Sequence, residues 1–418
     1  MREDIKKRIE AVSAGKVPAN YKRTDSGIMP EAWMDSTVGD IIEFHNEKST
    51  INNEYPVLTS ARSGLVLQTE YFEGQVTREE NAGYNVMPYG YITYRSRSDD
   101  GRFTFNQNTV VSKGIVSCFY PVFRVKEESA VPEFVLSYLN NYLGRQIVKE
   151  IVGTSQLVLS EKKLSELRMP CPPFAEQQKI AEILATCDRV IELKQQLLEE
   201  KRRQKQWLMQ KLLSESSAVN EIPLSNLCST ICDGDWIESK DQSEAGIRLI
   251  QTGNVGVGRY LDKEGRARYI SEDTFKKLNC TEVFAGDILL SRLPDPIGRA
   301  CMVPNLSTRA ITAVDCTILR FKDADVAEFF LQYATSNEYF NKISILAGGS
   351  TRTRISRKEI EKLLIPVPTS KTAMQKISKG LYLADQEISS LEQELEAWQQ
   401  KKKALMQLLL TGLVRVNA

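Results

Sequence analysis

The chain has 418 residues, enough for two or three domains that each bury a core. Apolar content of 42% and charged content of 26% describe an ordinary globular chain and exclude a disordered or collagen-like one. A net charge of +1 excludes a strongly basic protein, so any contact with nucleic acid has to come from local patches. Such patches are suggested by the distribution: residues 1–30, 151–219 and 347–418 carry +3, +2 and +5, against −5 for 31–150 and −4 for 220–346.

The first residues, Met1 to Arg8, have no apolar stretch, so no signal peptide is expected. No apolar run reaches the roughly 18 residues of a membrane span. Eight cysteines sit at irregular spacings, and the closest pair, Cys228 and Cys232, is not a zinc spacing. Reduced thiols in a cytoplasmic protein are expected. His45 is the single histidine, which leaves no His-rich metal site and no ordinary triad.

In chain order, residues 30–170 read as strand- and turn-rich, with apolar runs at Val110-Val111 and Val122–Val125 and a helical pattern over 132–143. A long helix is expected over 174–214. Its stripe runs Ile180, Leu184, Cys187, Ile191, Lys194, Leu198, Leu208 and Leu212, with Ile183, Val190 and Leu197 beside it. Residues 220–366 return to strands, with runs at 288–290 and 316–319, and one helical pattern over 326–346. A second long helix is expected over 371–411, through Ile377, Leu381, Ala384, Ile388, Leu391, Leu395, Trp398, Leu405 and Leu409. Thr369 or Ser370 would cap it and Gly412 would follow it. Each helix would span roughly 60 Å, and the stripe period argues for coiled-coil pairing.

The chain also repeats itself. Residues 153–160, then Leu164, Leu167, Pro170 and Pro172, return 196 residues later as 349–356, Ile360, Leu363, Pro366 and Pro368. Gln178-Lys179-Ile180 returns as Gln375-Lys376-Ile377, and Leu208-Met209-Gln210 as Leu405-Met406-Gln407. The strand-rich segments align more loosely: Tyr55–Leu58 with Ile247–Ile250, Gly90 with Gly286, and Gly101-Arg102 with Gly298-Arg299. A duplicated skeleton whose surface chemistry has diverged suits two readers of different targets. Two such helices would pair antiparallel if a pseudo-two-fold axis relates the halves.

Catalytic signatures are missing. Cys171-Pro172-Pro173-Phe174 is near an amino-methyltransferase loop, but a thiol is a poor acceptor for the target amino group, so a strand-to-helix junction is expected. Gly253-Asn254-Val255-Gly256-Val257-Gly258 lacks dinucleotide-binding spacing and reads as a strand-edge turn. No phosphate-binding loop of the Gly-x4-Gly-Lys type occurs. No cofactor or metal is therefore expected.

The segment from Pro170 through Pro172-Pro173-Phe174-Ala175-Glu176-Gln177-Gln178, ending at Leu208–Leu213, resembles the central helix of type I restriction-modification specificity subunits. So does the entry Tyr21-Lys22-Arg23-Thr24-Asp25-Ser26-Gly27-Ile28-Met29-Pro30, leading to Trp33. The resemblance implies an α+β chain: two mixed α/β target recognition domains joined by two long antiparallel coiled-coil helices, with a pseudo-two-fold repeat. It places an arm at 1–29, domains at 30–172 and 220–368, and helices at 173–215 and 369–412. It also implies a noncatalytic subunit that reads a bipartite asymmetric sequence in double-stranded DNA. The implied partners are two copies of an adenine methyltransferase subunit and ATP-dependent restriction subunits. A protein-only coiled-coil scaffold and the recognition half of a fused methyltransferase-nuclease stay open as alternatives.

Turn-borne Arg, Asn and Gln are the expected readers, since Arg pairs guanine edges and Asn or Gln pairs adenine. In the first domain these are Arg62, Arg95, Arg97, Asn106 and Gln107; in the second, Asn254, Arg292 and Arg299. Arg352, Arg354 and Arg357 follow a Gly-Gly turn and suit phosphates.

Overall fold

A computed structural model describes residues 3–71, 80–150, 157–215, 219–348 and 353–416; the repeated stretches 153–156 and 349–352 lie outside them. The chain divides into two compact units, residues 1–193 with 395–418, and residues 194–394. The units share one plan.

In the first unit an antiparallel sheet runs Phe105–Gln107, Ile92–Tyr94, Val122–Val125, Ile42–His45. In the second, the order is Ala300–Met302, Ile288–Ser291, Cys316–Phe321, Cys228–Asp233, also antiparallel. Both faces of the central strands are covered: Ile288, Leu290 and Leu319 enter one cluster while Leu289, Cys316 and Ile318 enter another. Tyr94, Phe105, Phe123 and Phe134 close one core, with Tyr94 and Phe105 ring centroids 5.0 Å apart; Phe329, Phe330, Tyr333 and Tyr339 close the other. A parallel contact also recurs: Val57 bridges Ile115 in one unit, and Ile247–Ile250 pairs Ala310–Thr312 in the other.

The 196-residue offset is kept at the level of single hydrogen bonds. Ser96 N donates to Phe119 O (3.2 Å) as Arg292 N donates to Asp315 O (2.9 Å). Leu159 N donates to Ser96 O (2.9 Å) as Ile355 N donates to Arg292 O (3.3 Å). Ser160 and Ser356 each cap a one-and-a-half-turn helix through the amide three residues on. The aligned glycines are turn residues that need a left-handed backbone: φ is +82° at Gly90 and +88° at Gly286, +74° at Gly101 and +81° at Gly298.

Phe174–Glu215 and Lys371–Leu410 are the two long helices. Ser370 is the residue that caps the second, its hydroxyl accepting from Ala373 N, and Gly412 follows with φ +68°. Within the first unit, Ile180 and Leu184 share a core with Leu409 and Leu410, and Lys402 pairs with Asp188. In the second unit the partners are Lys194–Glu394 (2.5 Å), Lys201–Glu387 (2.7 Å) and Lys205–Asp385 (2.6 Å). Numbers rise on one helix as they fall on the other, so the helices run antiparallel within each unit. The stripe is more polar than its apolar members suggest. Lys205 is only 8% exposed, and Lys194, Lys201 and Lys205 occupy the seam positions after Ile191. A charged group at such a position needs its partner opposite, which fixes register.

Two expectations are corrected. The pattern over 326–346 is two helices, Ala324–Tyr333 and Asn337–Leu346, because Ser336 caps the second through Tyr339 N and leaves Ala334–Ser336 as a corner. Val110-Val111 forms no strand: the Asn108 side chain accepts from both amides and holds them in a turn. Cys171-Pro172-Pro173-Phe174 does join a strand, Arg168–Cys171, to the first long helix.

All eight cysteines are free thiols. Burial pushes Cys171, Cys280 and Cys316 up to about 11, and Cys228 and Cys301 up to about 12. Because the thiolate is the nucleophile, maleimide at about pH 7.5 is expected to label exposed Cys118 first and these five far more slowly. Peptide mapping by mass spectrometry reads the order.

Candidate nucleic-acid interface

The first unit gathers three of the expected readers. Arg62 follows the strand Leu58–Ala61, and Arg95 and Arg97 follow Ile92–Tyr94. With Arg102, Asp99 and Asp100 they line a cavity of about 550 Å³. Four guanidinium groups against two carboxylates leave it basic within an acidic segment. Arg62 pairs with Asp100. Hydrogen bonds from the Arg102 backbone, Arg62 and Ser98 hold the Asp100 carboxyl down at about 2. Its value lies below the ordinary one when folded, so the pair persists above about pH 4 and is lost only as pH falls toward 2. Arg97 stacks over the Phe119 ring at 4.6 Å, and Arg95 has no side-chain partner among the described residues. Arg102 lines the cavity but is not among the residues singled out from the sequence, although its turn aligns with that of Arg299.

Asn106 and Gln107 lie on the edge strand of this sheet and are partly committed. Asn106 Nδ2 donates to Ser60 Oγ and Ala61 O (both 2.8 Å), and Gln107 Nε2 donates to Gly90 O (3.0 Å). Their side-chain carbonyls are left to accept from another donor.

In the second unit the expected readers separate into two groups. Asn254 and Arg299 serve the fold. Asn254 Oδ1 accepts from Gln251 N and its Nδ2 donates to Leu261 O, which closes the glycine-rich turn. Arg299 is 8% exposed and donates to four backbone carbonyls: Thr252, Val255, Leu293 and Pro296. Carbonyls clustered around a buried charge explain why an apparently turn-borne arginine points inward. The glycines of that turn admit other parts of the chain rather than a phosphate. A Cβ on Gly256 would meet Arg259 O at 2.8 Å, and one on Gly258 would meet Thr335 Cγ2 at 2.8 Å.

Arg292, Arg354 and Arg357 come together around two carboxylates. Arg292 reaches Asp233 (3.2 Å) and donates to Val314 O (2.7 Å); Arg354 pairs with Asp315 (2.8 Å). Arg357 lies 3.8 Å from Asp233 and bonds Glu361. Arg292 is 6% exposed, and burial lowers its pKa; Arg354 and Arg357 are about half exposed. The buried arginine therefore braces a surface that the other two present. Arg352 lies outside the described residues. Among the described residues no group of His, Cys, Asp or Glu could hold a metal ion, and no helix is long and apolar enough to cross a membrane.

Residues 30–201 and 229–397 each match the model of the type I restriction modification DNA specificity domain. The chain belongs to this family. It is 23% identical over 430 residues to the type I restriction enzyme MjaVIII specificity subunit of Methanocaldococcus jannaschii, covering 95% of this chain and 96% of that one. The putative MjaX specificity subunit of the same organism is 24% identical, with 95% and 97% covered. A solved structure described as showing complex assembly and conformational transition of the type I R-M system superposes with a TM-score of 0.59 at 16% identity, covering 92% and 99%. The specificity subunit of M. genitalium superposes at 0.55 and 15% identity, covering 94% and 97%. These two likenesses show the fold. Two specificity domains with one skeleton thus present different groups: an open arginine cavity in the first, a carboxylate-braced arginine cluster in the second.

Proposed function

We propose that this type I specificity subunit is a noncatalytic reader of a bipartite, asymmetric sequence in double-stranded DNA. The observation that carries the reading is the duplicated skeleton with different basic groups at equivalent places. Two identical surfaces would read a palindrome; two diverged ones read an asymmetric site. The segments 30–172 and 220–368 each read one half-site, and the helices 173–215 and 369–412 set the unread spacer. Two adenine methyltransferase subunits supply the chemistry, and ATP-dependent restriction subunits join them. A cytoplasmic location suits such a complex and its free thiols.

Base contacts are assigned to Arg62, Arg95 and Arg97, with Asn106 and Gln107 at the edge. Phosphate contacts are assigned to Arg354 and Arg357. Replacing either phosphate ligand by alanine is expected to weaken binding to all sequences alike and to reduce the salt slope by about 1. Arg292→Ala, which unbraces the cluster, is expected to weaken these phosphate contacts and so to lower affinity for all sequences while leaving both half-site sequences unchanged. Fluorescence titration of duplex sites across salt concentrations measures the loss, and a relaxed base preference in the second half-site would contradict the bracing role.

The test of the reading is single-molecule methylation sequencing of DNA from cells that express the chain with its cognate modification subunit, against cells lacking the chain. A new bipartite methyladenine motif is expected. A soluble complex that yields no motif would refute it.

A further inference from the structure

Phe119 is a large apolar side chain left 51% exposed beside a basic cavity. Single exposed apolar residues are common on soluble proteins and carry no meaning by themselves. Three features set this one apart. Its backbone is held: Phe119 O accepts from Ser96 N (3.2 Å) and from Ser96 Oγ (2.7 Å), and Ser117–Tyr120 closes a turn through Tyr120 N to Ser117 O (2.8 Å). One face of its ring is occupied by the Arg97 guanidinium at 4.6 Å. Its neighbour Tyr120 lines the cavity together with Arg95 and Arg97.

The duplication supplies the decisive comparison. Hydrogen bonds at the same 196-residue offset make Asp315 the counterpart of Phe119, and Arg292 the counterpart of Ser96. Asp315 holds Arg354 at 2.8 Å. One backbone position therefore carries an aromatic ring in the first domain and, in the second, a carboxylate that holds an arginine. The shared hydrogen bonds at this position are made by backbone atoms and dictate neither side chain, so the position is free to carry a group particular to each domain.

We propose that Phe119 is a specificity-determining residue of the first domain, whose ring meets a thymine methyl in the major groove next to a guanine bound by Arg97. The proposal rests on the DNA-reading role argued above. Phosphates and sugars offer little to an aromatic face. The thymine C5-methyl is the apolar group on the major-groove edge, and Phe is among the side chains that contact it. Arginine forks onto guanine O6 and N7, and stacking on a ring restrains the guanidinium for that contact. A rigid ring and the arginine stacked on it would thus read two neighbouring bases together.

The experiment uses the chain in complex with its modification subunit. Methylomes are compared for the wild type, Phe119→Ala and Phe119→Leu. Duplexes carrying uracil in place of each thymine of the first half-site are then titrated with the wild-type and alanine complexes. Phe119→Ala is expected to accept other bases at one position of the first half-site and to leave the second unchanged, while Phe119→Leu keeps the wild-type motif. Uracil at that position removes one methyl and is expected to weaken wild-type binding roughly fourfold, with no effect on Phe119→Ala. An alanine variant with an unchanged motif overturns the proposal, and does so while the bipartite motif itself stands. Impaired assembly with an unchanged motif also overturns it, and assigns the ring to a protein contact. Should the alanine complex methylate nothing, wild-type indifference to uracil at every thymine overturns it. A wild type without any bipartite motif removes both this proposal and the reading beneath it.

Discussion

Glu176→Ala is expected to lower the unfolding free energy by about 2–4 kcal/mol. Glu176 is 3% exposed at the start of the first long helix, and three donors converge on it. Arg415 approaches with Nε at 2.6 Å and Nη2 at 2.7 Å, a bidentate pair, and Trp33 Nε1 at 3.1 Å. Trp33 is fully buried, so its indole N–H has no water to turn to. Arg415 is 38% exposed and recovers part of its solvation, which keeps the expected loss below that of a wholly buried pair. Around this group the chain is tightly joined: Tyr21 donates to Gly412 O (2.5 Å), Arg8 donates to Leu413 O (2.7 Å), and a Cβ on Gly412 would meet Pro30 Cδ at 2.5 Å. The arm, the helix start and the segment after the second helix are thus one packed junction. Glu176→Gln keeps one acceptor oxygen but turns an NH2 donor against Arg415 or Trp33, and is expected to cost nearly as much as alanine. Urea unfolding of the purified chain measures both. A loss under about 1 kcal/mol for alanine would mean that Arg415 and Trp33 find other partners.

The parts of this molecule that follow periodicity were legible in its sequence. The steps of three and four from Ile180 to Leu198 mark a helix face because 3.6 residues make a turn, and the buried positions follow them. Gly90, Gly101, Gly286 and Gly298 aligned because a left-handed turn accepts few other residues. The seam lysines were less visible, since Lys201 and Lys205 look like surface charge until Glu387 and Asp385 are placed opposite them. The helix break at Ser336 was hidden because the apolar pattern continues on both sides of the corner. Side-chain roles were the least legible. Arg299 and Arg97 are both arginines near turns, yet one is bound by four buried carbonyls and the other lies on an exposed ring. Direction depends on partners such as Val255 and Leu293 whose contribution is only a backbone oxygen, and a backbone oxygen has no signature in sequence. Arg62, Arg95 and Arg97 line one cavity although their strands are not paired with each other: Leu58–Ala61 pairs with Gly64–Leu67, and Ile92–Tyr94 with Phe105–Gln107 and Val122–Val125, so only packing between separate sheets brings them together.

A matched deletion in the two long helices, residues 195–198 with 388–391, is expected to shorten the recognised spacer by about two base pairs. Four residues of α-helix rise ~6 Å and turn through about 400°, and base pairs stack at ~3.4 Å. Removing the block from both helices keeps the flanking pairs Lys194–Glu394 and Lys201–Glu387 in register, three residues apart on each helix instead of seven. A step of three still lies on the seam, with a net turn of about 40° that the coil takes up as local overwinding. Deleting the block from one helix alone would set Lys201 and Lys205 against the wrong residues. Burying an unpaired ammonium costs several kcal/mol, so that variant is expected to fold poorly and serves as the contrast. The readout is the methylome of the paired deletion with its modification subunit. Both half-sites should persist, since Arg62, Arg95, Arg97, Arg354 and Arg357 lie outside the deleted blocks, and only the number of bases between them should fall. Half-sites retained at the original spacing would contradict the helices' role as the measuring element, and would shift that role to the modification subunits that hold the DNA.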